Sequence, residues 1–164
     1  MRQVEFVPLL IRENAEVFTI RIDGNENTEF SKMLALVQES GDQYIERDKA
    51  EVLKVLTRMT VKGVLESLFR CEGGINDRIC AIPLECTRRK HGKHGTLRLY
   101  CIRISERLLI VGSGGIKTTR TYEEDDALLS KVKMMQKIDK TLLNLENNGC
   151  DIEKDIYNLT ILID

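Results

Sequence analysis

Glycine, serine and lysine crowd together in Val111-Gly112-Ser113-Gly114-Gly115-Ile116-Lys117-Thr118-Thr119-Arg120. These are the residue types with which backbone N–H groups and an ammonium grip phosphate. A phosphate loop, G-x-x-x-x-G-K-[ST], needs a glycine directly before the lysine. Here that residue is Ile116, and the interval from Gly112 to Lys117 is one residue short of the pattern. Such a loop also opens a helix whose N-terminus faces the anion, whereas Glu123-Glu124-Asp125-Asp126 follow and would repel it. The stretch reads instead as the end of an apolar strand with Lys117 at its rim.

A second cluster, His91-Gly92-Lys93-His94, stands beside Arg88, Arg89 and Lys90. A metal ion there would meet cations and no nearby carboxylate, so no metal site and no cofactor are expected. The five cysteines, Cys71, Cys80, Cys86, Cys101 and Cys150, include no C-x-x-C pair. Cys80, Cys86 and Cys101 lie in apolar, strand-like runs and read as buried thiols. Charge is more telling than its total of −1: residues 70–120 hold eleven Lys/Arg against four Asp/Glu, and the remainder 14 against 22. A basic segment within an acidic chain suits a localised anion or nucleic-acid contact, the loop residues Arg88, Arg89, Lys90 and Lys93, the strand residue Arg103 and, past the last strand, Arg120 being its candidates. The same charges also fit solvated faces of strands and hairpin loops.

The elements that would hold these residues follow from periodicity. Glu16 to Gly24 alternates as a half-buried strand and stops at glycine. Thr28 is placed to cap a helix carrying Phe30, Met33, Leu34 and Val37, and Gly41-Asp42 separates it from a longer helix with Ile45, Val52, Val55, Leu56 and Met59 on one stripe. Three β-rich runs follow, Arg78 to Cys86, Thr96 to Ser105 and Leu108 to Lys117, the last two joined by a turn at Ser105-Glu106-Arg107. Asp125 or Asp126 then starts a helix over 127–148 that Gly149 stops. The predicted class is α+β, one domain over 1–164, with a β-α-α-β-β-β-α core at about 16–149, an N-terminal extension 1–15 and a C-terminal tail 150–164 able to add a strand or dock on a partner. No run has the length of a membrane span, so a cytoplasmic location and no membrane partner are expected.

That order resembles the RelE/HigB/ParE superfamily of toxins from bacterial type II toxin–antitoxin modules. Three stretches carry the resemblance: Phe69-Arg70-Cys71-Glu72-Gly73-Gly74 with Asp77-Arg78-Ile79, then Gly95-Thr96-Leu97-Arg98-Leu99-Tyr100, then Leu108-Leu109-Ile110-Val111 with Gly115-Ile116-Lys117-Thr118-Thr119-Arg120-Thr121. The resemblance implies a mostly antiparallel sheet packed against a helical hairpin and a C-terminal helix. It implies ribosome-dependent, metal-independent endoribonuclease action on mRNA, and a helix-turn-helix antitoxin as cognate partner. Arg98 matches the family's strand arginine and Lys117 the lysine of its terminal turn, both stabilising phosphate charge. For the family's catalytic tyrosine the candidates are Tyr122 and Tyr157, and His91 or His94 would transfer a proton. A non-catalytic or repurposed RelE-like binding module is the alternative, a gyrase-directed toxin shares the fold, and homo-oligomerisation stays open. Arg98 and Arg103 stand five residues apart, so strand alternation puts them on opposite faces and only one can serve the site.

Overall fold

The structure is a computed structural model that describes residues 1–71, 78–84, 95–118 and 125–164. Its elements are β1 (Arg2–Ile11), β2 (Glu16–Ile22), α1 (Glu29–Ser40), α2 (Gln43–Lys62), β3 (Arg70–Cys71), β4 (Ile79–Ala81), β5 (Thr96–Ser105), β6 (Leu108–Lys117), α3 (Asp126–Asn147), α4 (Ile152–Asp155) and β7 (Thr160–Ile163). The class is α+β. A seven-stranded sheet has the order β3-β4-β5-β6-β2-β1-β7, with β2 and β6 parallel and the other neighbouring pairs antiparallel.

Local chemistry sets the helix ends. Thr28 Oγ1 accepts from Ser31 N–H at 3.2 Å, Asp42 caps α2 through Tyr44 N–H at 2.8 Å, and Asp125 Oδ1 accepts from Ala127 and Leu128 N–H at 3.0 and 3.1 Å. Each satisfies amide donors that the first helical turn leaves unpaired. Gly41 ends α1 in the left-handed region at φ 61, where a side chain would be strained. The residues before Ala15, expected only as an extension, form β1, whose Val4 and Phe6 are buried. Pro8 falls on the part of β1 beyond its pairing with β7, the edge setting in which proline is tolerated. At the other end β7 adds the outer strand, pairing Arg2 with Ile163 through Glu5 with Thr160. The run expected from Arg78 is a strand only over Ile79–Ala81 among the described residues.

Two apolar cores lie on opposite faces of the sheet. On one face α1 and α2 bring Phe30, Met33, Val37, Ile45, Val52, Leu56 and Met59 onto Val17, Leu97, Leu99, Cys101, Leu109 and Val111. On the other, α3 brings Leu128, Val132, Met135, Ile138 and Leu142 onto Phe18, Ile20, Tyr100, Ile102, Leu108 and Ile110, joined by Ile152, Ile156, Ile161 and Ile163 from the C-terminal segment. Cys80 and Cys101 are free thiols inside this packing, and Cys150 is a half-buried one.

The glycines of β6 explain how two helical layers fit onto one central strand. A Cβ at Gly112 would overlap Met135 Sδ of α3, and one at Gly114 would overlap the Arg98 carbonyl oxygen and sit 3.2 Å from Met33 Cγ of α1. A Cβ at Gly115 would meet Leu128 Cδ2 at 3.0 Å. The run is glycine-rich because helices press on both sides of it. Within the same stretch the register slips: Leu99 pairs with Gly114 but Cys101 with Val111, so β6 carries one extra residue at Gly112–Ser113. Such a bulge reverses which face every later side chain takes.

One ion pair ties β4 to α3. The Arg78 Nε–H donates to Asp139 Oδ1 at 2.8 Å, Arg78 N–H to Asp139 Oδ2 at 3.0 Å and Arg78 Nη1 to Glu146 Oε1 at 2.9 Å. Asp139 is 1% exposed. Replacing it with alanine leaves the guanidinium with Glu146 alone, and the expected loss is about 3 kcal/mol in urea denaturation, the lower end for breaking a buried pair. Gly114→Ala should cost more than Gly112→Ala, about 3 against about 1–2 kcal/mol by the same measurement. At Gly114 the obstacle is backbone, whereas at Gly112 it is the flexible end of Met135.

Candidate functional site

The β5–β6 register decides which cations meet. Thr96 pairs with Lys117 and Arg98 with Gly115, and directly opposed residues share a face. Arg98 alternates with Tyr100 and Ile102, which belong to the α3-side core. Arg98 and Lys117 are therefore diagonal neighbours on the α3-facing side. The bulge makes this so: six regular steps from Val111, which faces α1 and α2, would have put Lys117 on the wrong side. Both side chains are half-buried, and the Arg98 Nε atom is fully so. Gly115 between them leaves a gap over which the first turns of α3 pass.

A third cation comes from α3. Lys131 Nζ donates to the Gly114 carbonyl oxygen, and lies 3.5 Å from where a Gly115 Cβ would be. It reaches that carbonyl near the place where the parallel pair β2–β6 parts. The two strands pair only from Glu16 with Leu108 to Phe18 with Ile110, and α1 enters beyond. Phe30 N–H donates to Thr19 Oγ1 at 3.3 Å, and Ser113 Oγ to Glu29 Oε2 at 2.9 Å. Glu29 also holds Lys32 at 3.6 Å. Burial pushes the Lys131 ammonium below its ordinary value of 10.5; the carboxylates of Glu29 and Asp125 pull it back up and Lys32 pushes it down further. The end of β6 thus gathers two strand cations and one lysine whose proton affinity is weakened by burial.

Other residues of the basic segment are tied inward. Arg103 faces α2, as alternation from Arg98 requires, and its Nε–H donates to the Val64 carbonyl at 2.8 Å. Arg78 is held by Asp139 and Glu146, and Arg107 Nη2 donates to the Glu13 carbonyl at 3.3 Å. Tyr157 does not join Arg98 and Lys117. Its ring meets Phe18 edge-on at 5.2 Å, and its phenol bonds to Glu16, which pairs with Leu108 at the opposite end of β6, roughly 30 Å of strand away at ~3.3 Å per residue. That hydrogen bond raises its pKa to about 12. His91, His94, Tyr122, Arg88, Arg89, Lys90, Lys93 and Arg120 lie outside the described residues.

No family model, curated protein or solved structure matches the chain. Among the described residues no helix is long and apolar enough to cross a membrane, and no three His, Cys, Asp or Glu side chains gather as a metal-binding group. Sequence reasoning missed Lys131, Glu29 and Ser113. The signal for them was the glycine run itself, since glycines in a central strand announce close approach from both faces.

Followed by NMR at its Cε–Nζ end, Lys131 should titrate below the exposed lysines, and Glu29→Gln should lower it further by removing the carboxylate that raises it most. Stability should rise with pH between that lowered value and 10.5. In that window the unfolded chain still binds a proton that the folded one has released.

Proposed function

We propose that this chain is the toxin of a type II toxin–antitoxin module, a RelE-like endoribonuclease that cleaves mRNA on the ribosome without a metal ion. The observation that supports this reading is the convergence of Arg98 and Lys117 on one face of adjacent strands, in an α+β chain where β2 is followed by α1 and α2, then by the strands β3 to β6, then by α3. In this reading the RNA's 2′-hydroxyl gives its proton to water as it attacks the adjacent phosphorus, and the P–O5′ bond breaks as the 5′-oxygen of the next nucleotide takes a proton from water, leaving a 2′,3′-cyclic phosphate. Arg98 and Lys117 hold the charge that grows on the non-bridging oxygens, a contribution realised mainly in the transition state. Lys131 adds a third positive charge beside them. A helix-turn-helix antitoxin is the cognate partner.

The test is induced expression followed by mapping of breaks in messages recovered from a translating extract. Arg98→Gln with Lys117→Gln should lower cleavage by about a hundredfold or more while growth arrest disappears. Glutamine keeps part of each stem, so the double variant should still melt cooperatively. A folded double variant that cleaves as well as the parent removes both residues from the mechanism. Intact messages with the parent chain itself would replace the nuclease by a non-catalytic RelE-like binding module.

A further inference from the structure

The inner side of α2 is spent on the core through Ile45, Val52, Leu56 and Met59. Its outer side carries two ridges with a four-residue repeat, Leu53-Thr57-Val61 and Lys54-Arg58-Lys62. Leu53 is 44% and Val61 50% exposed, and the six residues line a shallow groove of about 490 Å³. Leu65 and Leu68, 38% and 44% exposed, follow just past the helix end. Among the described residues none of Lys54, Arg58 and Lys62 forms an ion pair, whereas Lys49 on the same helix is held by Glu46 at 2.7 Å.

Single exposed leucines are ordinary on a protein surface. Here an apolar ridge runs beside a ridge of one charge sign, and the groove between such i±4 rows is the surface into which another helix sets its own i±4 row, crossing at about −50°. A second copy would bring like charges together. Nucleic acid would use the cations and leave Leu53 and Val61 without a partner. An acidic helix with an apolar stripe satisfies both ridges.

We propose that the outer face of α2 docks an acidic amphipathic helix of a partner protein, apolar residues seated along Leu53-Thr57-Val61 and carboxylates against Lys54, Arg58 and Lys62. The face belongs to the helical layer opposite Arg98 and Lys117, so the inference does not rest on RNA cleavage.

The test uses the full chain, isotope-labelled for amide NMR, titrated with a synthetic helical peptide of leucines at i and i+4 flanked by glutamates. A scrambled peptide of equal composition serves as control. Perturbations should concentrate on residues 53–62, and Leu53→Gln with Val61→Gln should weaken binding about tenfold or more. Lys54→Glu, Arg58→Glu and Lys62→Glu together should abolish it and transfer binding to the lysine version of the peptide. These positions are exposed, and a thermal melt confirms the fold of each variant. Equal binding of the scrambled peptide, or perturbations away from α2, would overturn the proposal. So would a single-stranded oligouridylate that shifts the same amides with the glutamines in place, which would assign the face to nucleic acid. Concentration-dependent shifts of these amides without peptide would assign it to a second copy and equally overturn the proposal.

Discussion

Everything in this fold turns on how closely helices can approach β6. The strand lies between β5 and β2 in the sheet and is covered on one face by α1 and on the other by α3, so any side chain at Gly112, Gly114 or Gly115 would occupy space already held by Met135, the Arg98 carbonyl, Met33 or Leu128. Interiors packed to crystal-like density leave no room to absorb such atoms. The glycines permit the contact, and the contact brings Lys131 from α3 and Glu29 from α1 to the same few residues of strand. A motif that looks like a phosphate cradle is thus a packing seam. Its consequence is the set of cations that the seam lets come together.

The bulge at Gly112–Ser113 does the second part of that work. Alternation is the strictest rule a strand obeys, and one extra residue inverts it for everything downstream. Beyond the bulge Lys117 shares a face with Arg98, and Ser113, the extra position, turns its hydroxyl to Glu29 on α1. Bulges recur beside functional sites because they re-aim side chains without moving the strands that carry them. Here the strands stay paired by Arg98 with Gly115 and Thr96 with Lys117.

Charge is sorted by the same packing. Within the described part of the basic segment, Arg78, Arg103 and Arg107 are committed to a buried carboxylate or to backbone carbonyls. These are structural ties between elements distant in sequence, and the Asp139 pair is the kind whose rupture strands a charge away from water. Arg98 and Lys117 alone among the strand cations of β5 and β6 converge on the α3 side, beside a lysine whose burial weakens its hold on its proton. Counting lysines and arginines along the chain could not separate the two groups, since both have the same composition.

Local physics made much of this legible from residues alone. Alternation marked β2, β-rich runs marked β5 and β6, the cap at Thr28, the break at Gly41-Asp42 and a start at Asp125 or Asp126 bounded the helices, and the stripes on α1 and α2 named the sides they turn to the core, because propensity, capping and amphipathic period act over a few neighbours. The opposition of Arg98 and Arg103 was likewise readable, being a matter of parity within one regular strand. What needed the folded chain was every pairing between distant segments. Residues 2–11 became an inner strand because β7 and β2 flank them, and Tyr157 was separated from Lys117 by the length of β6. Lys117 joined Arg98 because an extra residue at Gly112–Ser113, visible only in the register between β5 and β6, reversed its face. Parity along a strand is local information; the count of residues facing each other across two strands is not.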